Sequence, residues 1–185
     1  MVGMSGLWMP IVLSAVAVFI ASSIIHMVLK WHNAEFQGLP DAAADALRPF
    51  NLQPGSYLTP WSGGDMAKMQ TPEFQARVKA GPNALINVRP NENVGMGKML
   101  GLWFVYSLIV GASCAYIAGR YLPQGTNYRH VFKLVGSVAF LGYGMAHIQY
   151  WVWWNKSTRA LFFDLLDSAI YASLTAGVFG WLWLR

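Results

Sequence analysis

Three consecutive stretches decide the fold: VFKLVGSVAFLGYGMAHIQYWVWW (Val131–Trp154), NKSTR (Asn155–Arg159) and ALFFDLLDSAIYASLTAGVFGWLWL (Ala160–Leu184). Crossing the hydrocarbon of a bilayer takes about 20 apolar residues at a helical rise of about 1.5 Å. The outer stretches are long enough, and the polar joint permits only a tight turn. The three predict a transmembrane helical hairpin. Inside it stand His147, Asp164 and Asp167. Ionisable groups at such positions cost several kcal/mol unless they are paired.

In an antiparallel hairpin, residues equidistant from the turn face each other. With the turn centred near residue 156, His147 falls opposite a position bracketed by Asp164 and Asp167. His147 shares a helix side with Gly144, Phe140 and Gly136. Asp164 is in line with Ser168, Ala172, Ala176 and Gly180, small residues recurring every four. The same register sets Gly144 against Ser168, Phe140 over Ala172, and Gly136 against Ala176. One alignment therefore predicts both close packing and a structural ion pair of His147 with Asp164, Asp167 standing one turn away. It also predicts that Asp164→Leu destabilises the protein more than Asp167→Leu.

The rest of the chain agrees with a membrane reading. Its 185 residues are 55% apolar, 15% aromatic and 11% charged, against roughly 25% charged in soluble domains. Nine Trp fit residues that gather at membrane interfaces. The net charge of +5 is dispersed, with no basic run of the kind that tracks phosphates, so nucleic acid is set aside as a partner. A single Cys, Cys114, excludes an internal disulfide and a cysteine metal cluster.

Trp8–Leu29 carries no Lys, Arg, Asp or Glu and reads as a retained first span. Met99–Ala118 is the second span. Its stripe of Ser107, Gly111, Ala115 and Gly119 suits close approach of another helix. Between them, residues 30–98 form the one long polar segment. Asp41 is placed to cap a short helix through Leu47. Thr71-Pro72-Glu73 starts another that stops at Gly81-Pro82. Ser56–Thr59 and Ala84–Val88 are candidate strands that can pair. The expected architecture is all-α: four transmembrane helices with a small extramembrane cap between helices 1 and 2. The divisions are residues 1–29, 30–98 and 99–185.

Four spans place both termini and the Gly119–His130 connection on one side. The other side holds nine basic residues: Lys30, Arg48, Lys68, Arg77, Lys79, Arg89, Lys98, Lys156 and Arg159. The terminal side holds four: Arg120, Arg129, Lys133 and Arg185. The positive-inside rule then assigns the long segment to the cytoplasm.

His26 lies one turn before the end of the first span, on the membrane side of His147, Asp164 and Asp167, with Tyr106 at similar depth. The polar group admits several uses. It can lock the hairpin as structural glue. It can relay protons or serve a quinone. His26 and His147 can clamp a haem. A catalytic His–Asp dyad lacks a nucleophile placed against it, so no catalytic residue is assigned. No metal ligand set is assigned either; the pairs Met66/Met69 and Met96/Met99 suit copper by softness but equally suit packing.

His26-Met27 with Trp31-His32, Leu39-Pro40-Asp41, Thr71-Pro72-Glu73-Phe74, Gly97-Lys98-Met99, Ala118-Gly119-Arg120 and Phe179-Gly180-Trp181-Leu182-Trp183 run the length of the chain. In these the chain resembles a family of small bacterial inner-membrane proteins of unassigned activity. The resemblance implies a four-span fold and no activity. The sequence thus leads to an expected non-catalytic accessory or assembly subunit of a larger membrane complex, of respiratory or photosynthetic electron transfer, held among lipid and other membrane-protein subunits. The alternatives are a haem- or quinone-binding redox protein and a small transporter or proton channel.

Overall fold

The computed structural model describes residues 2–91 and 95–183; Leu184 and Arg185, which enter the sequence reading of the fourth span and of the topology, lie outside the described residues. Four helices are long and apolar enough to cross a membrane: Met4–Leu29, Met96–Tyr121, Tyr128–Trp154 and Thr158–Leu182. The protein is an all-α integral membrane protein. The first span is composite. A 3-10 turn, Met4–Leu7, leads into α1, Trp8–Ile24, and a π-helical turn, Ile25–Leu29, closes it.

The chain divides into two compact units, Met1–Gln37 with Gly95–Arg185, and Gly38–Val94. The residues that follow the first span up to Gln37 therefore belong with the spans.

The Gly38–Val94 unit contains α2 (Asp41–Leu47), α3 (Met66–Met69), α4 (Pro72–Ala80) and a two-stranded antiparallel sheet. Strand β1 (Gly55–Thr59) pairs with β2 (Ala84–Val88), Tyr57 opposite Ile86 and Leu58 opposite Leu85. The Thr71 hydroxyl caps α4 by accepting from the Phe74 amide, and Gly81, at φ 64°, ends it. Asp41 does not cap α2. Extended Pro40 takes the cap position, and Asp41 stands in the first turn, where its charge favours the helix dipole.

The spanning unit packs α1, α5 (Met96–Tyr121), α6 (Tyr128–Trp154) and α7 (Thr158–Leu182) in a ring in that order. The α6–α7 hairpin has the most extensive contact. Asn155, left-handed at φ 51°, terminates α6, and the Ser157 hydroxyl caps α7 by accepting from the Ala160 amide. A Cβ at Gly144 would stand 3.2 Å from the Ser168 Cβ, and one at Gly136 would stand 3.3 Å from the Ala176 Cβ. Ser168, Ala172 and Ala176 are buried, and Gly180 lies against the Tyr128 ring. On α5, Ser107, Gly111, Ala115 and Gly119 are all buried; Gly111 faces the Ile11 carbonyl of α1, and Gly119 faces Val2. Small residues thus let the backbones approach, which is how helices associate where lipid offers no hydrophobic contrast.

Candidate functional site

Seven ionisable side chains meet at one end of the spanning unit. They come from five places in the chain. His26 sits on the π-helical turn that ends the first span. Lys30 then adopts a left-handed backbone, φ 54° and ψ 17°, which turns the chain. A 3-10 turn, Trp31–Glu35, follows and packs against α7. There the Trp31 ring stacks on Phe163 at 5.6 Å between centroids and 19° between planes. This anchor sets His32 and Glu35 against the hairpin. His147 comes from α6, Lys156 from the hairpin turn, and Asp164 and Asp167 from α7.

The contacts form an unbroken chain. His26 Nε2 is 3.7 Å from Asp167 Oδ2, and His32 Nε2 is 2.8 Å from the same oxygen. The other nitrogen of His32, Nδ1, pairs with Glu35 Oε1. Glu35 Oε2 is 3.6 Å from Lys156 Nζ, which lies 2.5 Å from Asp164 Oδ2. His147 Nδ1 closes the series 3.3 Å from Asp164 Oδ2. The three carboxylates are the most buried members, and His26, half exposed, is the least.

His32 lies outside the spans. Burial by itself would lower its pKa, but the hydrogen bonds to Glu35 and Asp167 and the charge of those carboxylates outweigh that and hold it above its ordinary 6.5. It is therefore poised to carry a proton and to donate through both ring nitrogens.

Beside the chain of charges lies a cavity of about 340 Å³. His26, His147, Asp164 and Asp167 form its polar wall; Trp103, Tyr106, Tyr143 and Tyr171 form its aromatic wall. Trp103 and Tyr106 stack at 5.6 Å, and Tyr143 meets Tyr106 and Tyr171 edge to face at 5.8 and 5.6 Å. Two of the wall's donors are occupied: Trp103 Nε1 donates to Ser22 Oγ at 2.9 Å, and the Tyr106 hydroxyl to the Gly142 carbonyl at 2.5 Å. Two polar atoms are not. The Tyr171 hydroxyl and Asp167 Oδ1 are buried and make no well-formed hydrogen bond, although the hydroxyl stands beside the Asp167 carboxylate. Buried polar atoms are paired in the great majority of cases, so these two mark a place that something polar completes. A larger opening, about 550 Å³ among Tyr128, Arg129, Phe132 and Lys133, lies at the other end of α6 and gathers no such set.

The structure brings His147 to Asp164. Asp167 faces elsewhere, toward His26 and His32, because it sits one turn further along α7, level with the chain returning from the first span. His26 and His147 line the same cavity but are turned to different carboxylates. Sequence reasoning about the hairpin missed His32, Glu35 and Lys156. The signal available was local: His32 and Glu35 three apart immediately after a span, and a lysine in the turn beside two buried aspartates. Comparison with family models, curated proteins and solved structures finds no match.

Proposed function

We propose that the protein is an accessory subunit of a membrane electron-transfer complex that binds the head of a lipid-soluble ring compound of the quinone class. The observation that carries this reading is the buried Tyr171 hydroxyl on the wall of the aromatic cavity, which stands beside the Asp167 carboxylate but makes no well-formed hydrogen bond. A ring carbonyl is the acceptor such a donor lacks. The cavity volume lies at the lower end of the range of small-ligand sites, roughly 300–1,000 Å³, which suits a head group whose tail stays in lipid. The ionisable chain beside it can exchange protons near neutral pH. The electrons would come from a redox centre on another subunit. A haem clamped by His26 and His147 is favoured less, since each imidazole is committed to its own carboxylate. A full channel is favoured less too, because the ionisable groups gather at one end of the spans. The reading places the chain in a bacterial inner membrane with the long segment cytoplasmic; accessibility of a cysteine introduced between Gly38 and Val94 tests the side.

Decyl-ubiquinone titrated into the protein in nanodiscs is expected to quench tryptophan fluorescence saturably. Trp103→Phe should remove the saturable component. Tyr171→Phe should weaken binding about fivefold, the worth of one hydrogen bond of about 1 kcal/mol. Quenching that is non-saturable, or identical in Tyr171→Phe, refutes the reading.

A further inference from the structure

We propose that His26, His32 and Asp167 form a binding site for one divalent first-row transition-metal ion. The inference goes beyond the cavity ligand and does not need it. One donor atom from each of the three residues lies within 4.8 Å of the other two. The two imidazole rings lie 4.6 Å apart at 32°, so both Nε2 atoms approach the same carboxylate. Metal–nitrogen and metal–oxygen bonds near 2.0–2.1 Å in a tetrahedral site imply donor separations of about 3.3–3.4 Å. The present 3.7 Å (His26) and 2.8 Å (His32) to Asp167 Oδ2 bracket that value, and the donor atoms of the two histidines lie within 4.8 Å of each other.

Two independent observations point to a cation at this spot. Asp167 is 4% exposed, and its Oδ1 makes no well-formed hydrogen bond, although the Tyr171 hydroxyl stands beside the carboxylate. A buried carboxylate that lacks a full set of well-formed hydrogen bonds is costly, and a cation held on its Oδ2 lowers that cost. Behind His32, Glu35 accepts from Nδ1. A carboxylate behind a metal-bound histidine fixes the tautomer that leaves Nε2 free to ligate. Without an ion, a proton on Nε2 takes its place between His32 and Asp167, and binding releases it.

The neighbouring set His32, Glu35 and Asp164 also satisfies the distance condition. It is a poor site, because the Lys156 ammonium already stands 2.5 Å from Asp164 and 3.6 Å from Glu35. Imidazole with a hard carboxylate selects ions of the iron-to-zinc part of the row. His26 and Asp167 line the cavity, so the remaining coordination positions open into it.

The test uses the full-length protein, purified in detergent, stripped with chelator and titrated with Co²⁺ or Zn²⁺ alone. Equilibrium dialysis is expected to find one ion per chain, and Co²⁺ to show the visible bands of a nitrogen–oxygen site. His32→Gln and Asp167→Asn should abolish stoichiometric binding. Glu35→Gln, which keeps all three ligands and guards against a ligand variant that does not fold, should weaken affinity roughly 10–100-fold. His130→Gln, an exposed histidine at the far end of the bundle, should change nothing. No stoichiometric ion in the wild type, equal affinity in Glu35→Gln, or loss of the ion in His130→Gln overturns the proposal. Quinone quenching is read separately, so either proposal can fail alone.

Discussion

At the end of the bundle where Val2 meets Gly119, the helices touch through atoms that carry no net charge. The Val2 amide donates to the Gly119 carbonyl at 2.7 Å, Trp183 Nε1 donates to the Pro123 carbonyl at 3.0 Å, and Leu7, Ala118, Val131 and Phe179 are fully buried around them. At the end where His26 meets Asp167, the elements are joined by seven ionisable groups in series. Both ends belong to the same spanning unit. The difference teaches that shape fixes one end and charge the other. The first end should resist pH and reject added atoms. The second should accept isosteres and fail when a charge is left alone.

The largest expected effect is at the charged end. Asp167→Leu removes the acceptor shared by His26 and His32, and truncating one member of a buried, hydrogen-bonded charge set costs about 3–5 kcal/mol. Asp164→Leu should cost less, because Lys156 keeps Glu35 and His147 is only partly buried. This reverses the order expected from the hairpin alone. Equilibrium unfolding in mixed micelles ranks the two variants, and a greater loss in Asp164→Leu would show that the charged end is organised by the hairpin and not by the turn from the first span.

Next comes the uncharged end. A Cβ at Gly119 would lie 2.6 Å from the Val2 carbonyl oxygen, backbone that cannot swing aside. Gly119→Ala is expected to cost about 1–3 kcal/mol by overpacking. The loss should be the same at pH 6 and pH 8. A pH-dependent loss would break the contrast between the ends.

The uncharged end was legible from sequence because small residues every four positions declare a packed face whatever the partner. The register of the hairpin was legible for the same reason: Gly144 against Ser168 and Gly136 against Ala176 follow from counting outward from Asn155–Arg159. The charged end was legible only where it lies inside the hairpin. His32 and Glu35 enter it through a left-handed residue, Lys30, and a 3-10 turn. Neither follows from helical periodicity, which carries no information once the helix has ended. Lys156 read as an interface charge, since nothing local distinguishes a lysine facing lipid head groups from one folded back onto Asp164.

A third and smaller effect separates the ends by titration. His32 has its pKa raised in the folded protein by Glu35 and Asp167, against the opposing pull of burial. A raised folded value means that its stabilisation is complete below the unfolded value of about 6.5 and is lost as pH rises through the higher folded value. His26, Glu35 and Asp167 are the groups that face the ring. The wild type should therefore lose stability above about pH 6.5 relative to His32→Gln, which lacks that component. Parallel pH profiles for the two proteins, measured by unfolding in micelles, would remove His32 as the titrating member.

The smallest effect tests the hinge that joins the first span to the charged end. Lys30 is a non-glycine residue at φ 54°, a conformation that costs an L-residue roughly 1–2 kcal/mol. Its side chain is exposed, so a substitution there removes little contact. Lys30→Gly relieves the backbone cost but gives the unfolded chain more freedom, a loss of roughly 0.5–1 kcal/mol. The balance is a gain of about 0 to 1.5 kcal/mol, read as a slightly raised melting temperature with metal affinity unchanged. A lowered melting temperature would mean that the lysine chain itself holds the turn. The charged end would then extend one residue further toward the first span than its seven-member chain of contacts implies.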